Sequence, residues 1–259
     1  MRDVVDERFR PFAAKMRREG LPELAIETFH HYYEQLCAGD TGLVAEAEIE
    51  PADDVPELDG LGGYEAAGRD ALDRARLVKL NGGLATSMGM TRAKSLLPVK
   101  KGRSFLAIIA GHVEHTRAQH GCRRPLVLMN SFRTRDDSLA ALAPHALGVP
   151  GLPADFLQHK VPRIAKDGLG PVAWPAAPEH EWCPPGHGDI YTALVTSGAL
   201  AALRAAGLRY AFVSNADNLG ATLDLRVLGW MARERVAFAM EVTERTRADR
   251  KGGHLAVRR

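Results

Sequence analysis

The sequence predicts an α/β protein, a Rossmann-like, mostly parallel sheet with helices on both faces, preceded by an N-terminal helical segment. Two observations carry this. Short apolar runs of strand length, at 77–80, 125–129, 155–158, 210–214 and 236–242, alternate with helix-length stretches beyond residue 76. Before residue 50 the apolar residues recur instead at helical spacing. With 46% hydrophobic and 25% charged residues over 259 positions, the chain has enough apolar material for a full core.

The N-terminal stripes are Phe9, Phe12, Met16 and Ile26, Phe29, Tyr33, with Leu36 continuing the second. Gly20-Leu21-Pro22 divides them, so a helical hairpin or a bent helix is expected. Residues 50–73 are rich in Asp, Glu, Pro and Gly and read as a linker. The expected organisation is therefore residues 1–73 as helical segment and linker, and 74–259 as the Rossmann-like domain. Within that domain Ser104 is placed to cap a helix stopped by Gly121, and Asp136 or Asp137 to open the next. One helix is expected over 189–206, ended by Gly207, and another over 224–233.

A formal charge of +2 gives no reason to expect nucleic acid or a membrane surface as partner. The start is charged and no apolar run is long enough to span a bilayer, so a cytoplasmic location is the expectation. Cys37, Cys122 and Cys183 are too scattered for a disulfide framework or a zinc-ligand pair. His112 and His115 share a helix face without a third ligand, the pattern of an ordinary surface pair.

The chemistry concentrates at Leu80-Asn-Gly-Gly-Leu-Ala-Thr-Ser-Met-Gly-Met-Thr-Arg-Ala-Lys94-Ser, where a strand runs into a Gly-rich loop ending in lysine. Gly82 and Gly83 permit close backbone approach, which suits N–H groups around phosphate oxygens or, equally, a tight turn. Lys94 offers a flexible point charge. The spacing excludes the P-loop, because Ala93 precedes Lys94-Ser95, and the Gly-x-Gly-x-x-Gly dinucleotide fingerprint is absent from this loop. Asp217 follows a strand at its carboxyl end, where open α/β sheets place ligands. An Asx-turn would use Asn215-Ala-Asp-Asn equally well.

Several long segments in order resemble one family. They are 80–95; Pro125-Leu-Val-Leu-Met-Asn-Ser-Phe132; Phe156-Leu-Gln158 with Pro162-Arg-Ile164; Trp182-Cys-Pro-Pro-Gly-His-Gly-Asp-Ile-Tyr191; Phe212-Val-Ser-Asn-Ala-Asp217-Asn-Leu-Gly-Ala221; and Met240-Glu-Val-Thr243 with Asp249-Arg-Lys-Gly-Gly253. Together they are similar to the eukaryotic-type UDP-glucose pyrophosphorylases. The resemblance implies that Leu80, Asn81, Gly82 and Gly83 bind a uridine nucleotide through the backbone, and that Lys94 binds its phosphates. It places Gln158 and Gly186 at the uracil and ribose end and His187 near the sugar phosphate. Asn215, Ala216 and Asp217 match a substrate-contacting segment, with Asp217 a Mg²⁺ ligand. Lys94 and Asp217 are thereby the implied catalytic residues, and UTP and glucose 1-phosphate the implied substrates.

Ala85 and Ala93 depart from the family, which has glycine and proline there. The family also continues well beyond residue 259, with a second phosphate-binding lysine, so the resemblance implies a catalytic domain incomplete at its C-terminal end. Two other readings stay open beside the glucose enzyme. One is a pyrophosphorylase for UDP-N-acetylhexosamine or for a broad range of UDP-sugars; the other is a non-catalytic nucleotide-binding module.

Overall fold

A computed structural model describes residues 2–52, 55–84, 92–123, 125–244, 246, 247, 253 and 255–259. Along the chain, α1 (Arg2–Arg18) and α2 (Glu23–Cys37) are followed by β1 (Ile49–Pro51), α3 (Glu65–Ala71) and β2 (Ala75–Asn81). Next come β3 (Pro98–Lys100), β4 (Arg103–Ser104), α4 (Phe105–His120), β5 (Leu126–Asn130) and α5 (Arg135–Leu142). Three short strands, β6 (Asp155–Leu157), β7 (Val161–Pro162) and β8 (Trp182–Cys183), lead to α6 (Ile190–Thr196) and α7 (Ala199–Ala205). The last elements are β9 (Tyr210–Asn215), α8 (Leu225–Glu234) and β10 (Ala256–Arg258).

These elements form two compact units. The first holds residues 1–37 and 73–223, the second residues 38–72 and 224–259. The sequence predicts a single division at residue 73; in the structure the helical hairpin groups with the sheet, and the linker with the last 36 residues.

In the first unit the sheet order is β6-β5-β2-β9 and every pairing is parallel. The two-residue period of the strands explains the two cores. Leu77, Leu126 and Leu128 face Leu106, Ile109, Ala110 and Val113 of α4. Val78, Val127 and Met129, one residue out of phase, form the second core with Phe156, Ile190, Ala193 and Ala199. Strands covered on both faces must be apolar almost throughout, and β5 is buried at all five positions. The expected parallel sheet with helices on both faces is what forms.

Helix α4 begins and ends as its sequence predicts. Ser104 Oγ accepts from Ala107 N–H at 3.1 Å, and Gly121 closes the helix in the left-handed region at φ 63°. The hairpin of α1 and α2 also forms, burying Phe9, Phe12, Met16, Ile26 and Tyr33 with Trp182. Leu36, placed by its spacing on the same stripe, is 40% exposed.

Three further expectations fail, the first being that Asp136 or Asp137 opens α5, which begins after Thr134 and holds both aspartates in its first turn. The single helix over 189–206 is two, because Gly198 turns left-handed at φ 75° and Ser197 Oγ accepts from Ala199 N–H. Residues 236–242 form no strand. Phe238, Met240 and Val242 remain exposed, and an alternating apolar pattern without a pairing partner gains no ladder.

The second unit is held by α3 against α8 through two glycines. A Cβ on Gly68 would lie 1.9 Å from the Leu225 carbonyl oxygen, and one on Gly229 would lie 1.9 Å from that of Tyr64. Strand β1 pairs antiparallel with β10. Among the described residues no helix is long and apolar enough to cross a membrane.

Candidate functional site

The carboxyl ends of the four parallel strands bring nearly all the sequence-derived site residues together in the first unit. Asn81 ends β2, Asn130 ends β5, Leu157 ends β6 and Asn215 ends β9. Asn81 and Asn130 are directly paired, and Leu80 pairs with Asn215. Ala216 N–H donates to the Leu80 carbonyl at 3.0 Å and carries the β2–β9 ladder one residue further.

Beneath this edge lies a polar floor. Asn81 is buried, and its Nδ2 donates to Asn130 Oδ1 at 2.7 Å and to Ser138 Oγ at 2.8 Å. Asn130 Nδ2 donates in turn to Asp155 Oδ2 at 3.2 Å, and Arg135 Nε donates to the same oxygen at 2.8 Å. The floor thus ties α5, β2, β5 and β6 together. The sequence assigns Asn81 a backbone role only, and gives no site role to Asn130, Ser138, Arg135 or Asp155.

The Gly-rich loop is closed at its base. Lys94 N–H donates to the Gly83 carbonyl at 3.0 Å, and Leu84 bridges to Ala93. Residues 85–91, including Ala85 and the Thr86–Gly89 segment, lie outside the described residues. Closure aims Lys94 toward β9, where its Nζ lies 2.6 Å from Asp217 Oδ2. The pair is partly open to solvent, with the lysine side chain 45% and the aspartate 31% exposed. Asn218 Oδ1 accepts from Ala221 N–H at 3.2 Å, three residues on and not the two of an Asx-turn, and the Asp217 carboxylate faces the lysine instead.

On the other side of β2, Gln158 is buried and crosses the chain at Gly82. Its Nε2 donates to the Gly186 carbonyl at 2.8 Å. Its Oε1 lies 2.4 Å from where a Cβ on residue 82 would stand, so a side chain there would displace the amide. Gly186 itself adopts φ 103°, a conformation that glycine reaches without strain. His187 follows it, exposed, and Asp189 leads into α6.

The site therefore has two halves flanking Gly82 and Gly83. One is a cationic and anionic pair, Lys94–Asp217. The other is an amide cradle, Gln158 between Gly82 and Gly186. A phosphorylated ligand with a hydrogen-bonding ring fits such a division chemically. Asp217 also fits a hard divalent cation, since one of its oxygens already holds the positive charge of Lys94. Among the described residues the metal-ligating triple whose ligand atoms lie within 4.8 Å of one another is Asp6, His30 and Glu34, on the helical hairpin and not here.

Comparison with known proteins agrees with this fold. The family model for UTP–glucose-1-phosphate uridylyltransferase matches residues 26–258. The potato (Solanum tuberosum) UTP–glucose-1-phosphate uridylyltransferase is 42% identical over 185 residues, covering 71% of this chain and 39% of the potato protein. A probable enzyme of the same name from Schizosaccharomyces pombe is 39% identical over 228 residues, 88% of this chain and 45% of its own. Among solved structures, the UDP-glucose pyrophosphorylase of Leishmania major superposes with a TM-score of 0.90 at 42% identity, over 96% of this chain and 52% of that one. An L281D mutant of the Leishmania protein, in complex with UDP-glucose, gives 0.88. The chain spans well under two thirds of the length of these relatives.

Proposed function

From the premise that this chain belongs to the UTP–glucose-1-phosphate uridylyltransferase family, we propose that it binds UTP and glucose 1-phosphate and serves uridylyl transfer between them. A phosphate oxygen of glucose 1-phosphate attacks the α-phosphorus of UTP. The bond from that phosphorus to the bridging oxygen breaks, and pyrophosphate leaves with UDP-glucose as the other product. No protein nucleophile is required, so the residues act by alignment and charge.

The observation that carries this reading is the Lys94–Asp217 pair at 2.6 Å, set beside the closed base of the Gly-rich loop. An ammonium group held by a carboxylate in the free protein exchanges one anionic partner for another when phosphates arrive. Lys94 then binds the phosphates and Asp217 is released for a cation. Mg²⁺, which takes one or two carboxylates plus substrate phosphates, is the ion proposed there; when bound it neutralises charge on the transferring phosphates. The backbone from Leu80 to Gly83 lies between the two halves and is proposed to meet the nucleotide. Asn215 and Ala216 are proposed to border the sugar-phosphate side, and His187, exposed next to Gly186, to meet the sugar phosphate.

Calorimetry with UTP and Mg²⁺ tests this directly. Wild-type chain is expected to bind UTP in a metal-dependent way. Asp217→Asn, which keeps the shape and removes the charge, is expected to weaken that binding about tenfold or more. A parallel assay should show pyrophosphate release only when glucose 1-phosphate is present. UTP binding that is absent, or that ignores both the metal and Asp217→Asn, overturns the reading.

A further inference from the structure

Among the described residues His159 and Asp189 form a deeply buried imidazole–carboxylate contact, with side chains 9% and 7% exposed. Neither residue has a part in the function above, yet each adjoins one that does. His159 follows Gln158, and Asp189 lies three residues after Gly186. Asp189 Oδ2 accepts from His159 N–H at 2.7 Å, and its Oδ1 lies 2.8 Å from His159 Nδ1. The far ring nitrogen, Nε2, is 3.0 Å from Thr196 Oγ1, which donates to the Thr192 carbonyl within α6. One carboxylate therefore grips residue 159 by main chain and side chain at once, and the ring is braced from behind.

Asp189 acts on the other segment too. Its own N–H donates to the Gly186 carbonyl at 3.2 Å, the same oxygen that accepts from Gln158 Nε2. Glycine at φ 103° sets no direction for that carbonyl by itself, so the direction is imposed by what bonds to it. The amide of Gln158 is thus held through both ends of one residue, by the backbone of Asp189 at Gly186 and by its carboxylate at His159.

The consequence lies in which way the amide points. A glutamine amide offers a carbonyl acceptor and an N–H donor on one edge, and a half-turn exchanges them. Uracil presents an N3–H donor beside a carbonyl oxygen, whereas cytosine presents an N3 acceptor beside an amino donor. By accepting from Nε2, the Gly186 carbonyl selects one of the two orientations. We propose that Asp189, with His159 and Thr196, is a positioning residue for base recognition, holding the Gln158 amide in the orientation that selects uracil over cytosine. This rests on the uridine-nucleotide reading given above.

The test compares UTP with CTP on wild type, Asp189→Ala, Asp189→Asn, Thr196→Val and Gln158→Ala, each checked for a cooperative melt. Asp189→Ala is expected to lose about tenfold in UTP affinity and less than about twofold for CTP, so that the preference falls about tenfold. Thr196→Val, which removes only the outer brace, is expected to lower the preference about twofold to threefold by the same reasoning. Because Asp189 acts through Gln158, the double variant Asp189→Ala/Gln158→Ala should be no less selective than Gln158→Ala alone. If Asp189→Ala does not melt cooperatively, the same ratio is read on Asp189→Asn and Thr196→Val. Equal losses for UTP and CTP in folded variants, an unchanged preference, or additive losses in the double variant overturn the proposal. A wild-type chain that binds UTP no better than CTP overturns instead the uridine reading beneath it.

Discussion

The two ends of strand β2 treat buried polar groups in opposite ways. Near its amino end Arg76 is 1% exposed, and its three guanidinium nitrogens have no hydrogen-bond partner among the described residues. Midway, Lys79 is equally hidden but donates to Ser214 Oγ at 2.6 Å and to the Ala221 carbonyl at 3.2 Å. At the carboxyl end Asn81 sits in the polar floor with both of its donated bonds made. Satisfaction improves along seven residues toward the edge where the Gly-rich loop and Asp217 gather. A buried polar group fixes geometry only when its partners are in place; without them it costs stability and specifies nothing. The carboxyl end is thus the end whose geometry is specified.

The largest expected effect comes from breaking the satisfied end. Asn81→Ala leaves Asn130 Oδ1 and Ser138 Oγ buried without their donor, at about 1–3 kcal/mol for each orphaned group, so a loss of about 3 kcal/mol is expected. Denaturant unfolding measures it. A loss below about 1 kcal/mol, the net worth of one ordinary hydrogen bond, would mean that the floor is not what holds the strand ends in register.

Removing the unsatisfied group at the other end is expected to act with the opposite sign. Burial pushes the Arg76 guanidinium down from its usual range to about 10. The folded state therefore binds that proton less tightly than the unfolded one. The penalty is complete below pH 10 and lifts only as pH rises above about 10. At pH 7 it is fully present, so Arg76→Met, which keeps the aliphatic reach, is expected to stabilise the chain by about 2 kcal/mol. A lower melting temperature for Arg76→Met would show that the guanidinium is compensated after all, and would erase the contrast between the two ends.

The sequence carries the parallel sheet because strand runs buried on both faces cannot be mistaken for amphipathic surface, as 126–130 shows. It carries the proposed ligand-facing positions because Gly82, Gly83, Lys94, Gln158 and Asp217 belong to contiguous motifs. What it hides is pairing at a distance. Asn81 meets Asn130 across 49 positions, and His159 meets Asp189 across 30, and no local spacing announces either. The break at Ser197-Gly198 was legible in principle, since glycine after serine inside a helical pattern is a turn signal; the apolar run around it masked the signal. The strand expected at 236–242 rested on alternation alone, and alternation specifies a face without supplying a neighbour.

The smallest effect on stability is expected at the ion pair itself, and that smallness separates it from the floor beneath. Lys94 and Asp217 are 45% and 31% exposed, so water screens their attraction, and ordering a lysine side chain offsets part of what remains. Lys94→Ala is accordingly expected to change unfolding free energy by less than about 1 kcal/mol. Its affinity for UTP is expected to fall about tenfold to a hundredfold, the worth of one charge-assisted contact, while affinity for uridine, which lacks phosphates, stays within about twofold. This pattern distinguishes a group kept for exchange from one kept for structure: Asn81 is costly to lose with or without ligand, Lys94 only when phosphate is there to meet it. Equal losses for UTP and uridine would place Lys94 with Asn81, as a strut whose ammonium group on Asp217 holds the base of the Gly-rich loop, over and above the bond from its own N–H to Gly83. Alanine keeps that backbone bond, so only the ammonium group is tested, and a melting temperature that stays put while UTP binding collapses is the outcome that the exposed geometry of the pair predicts.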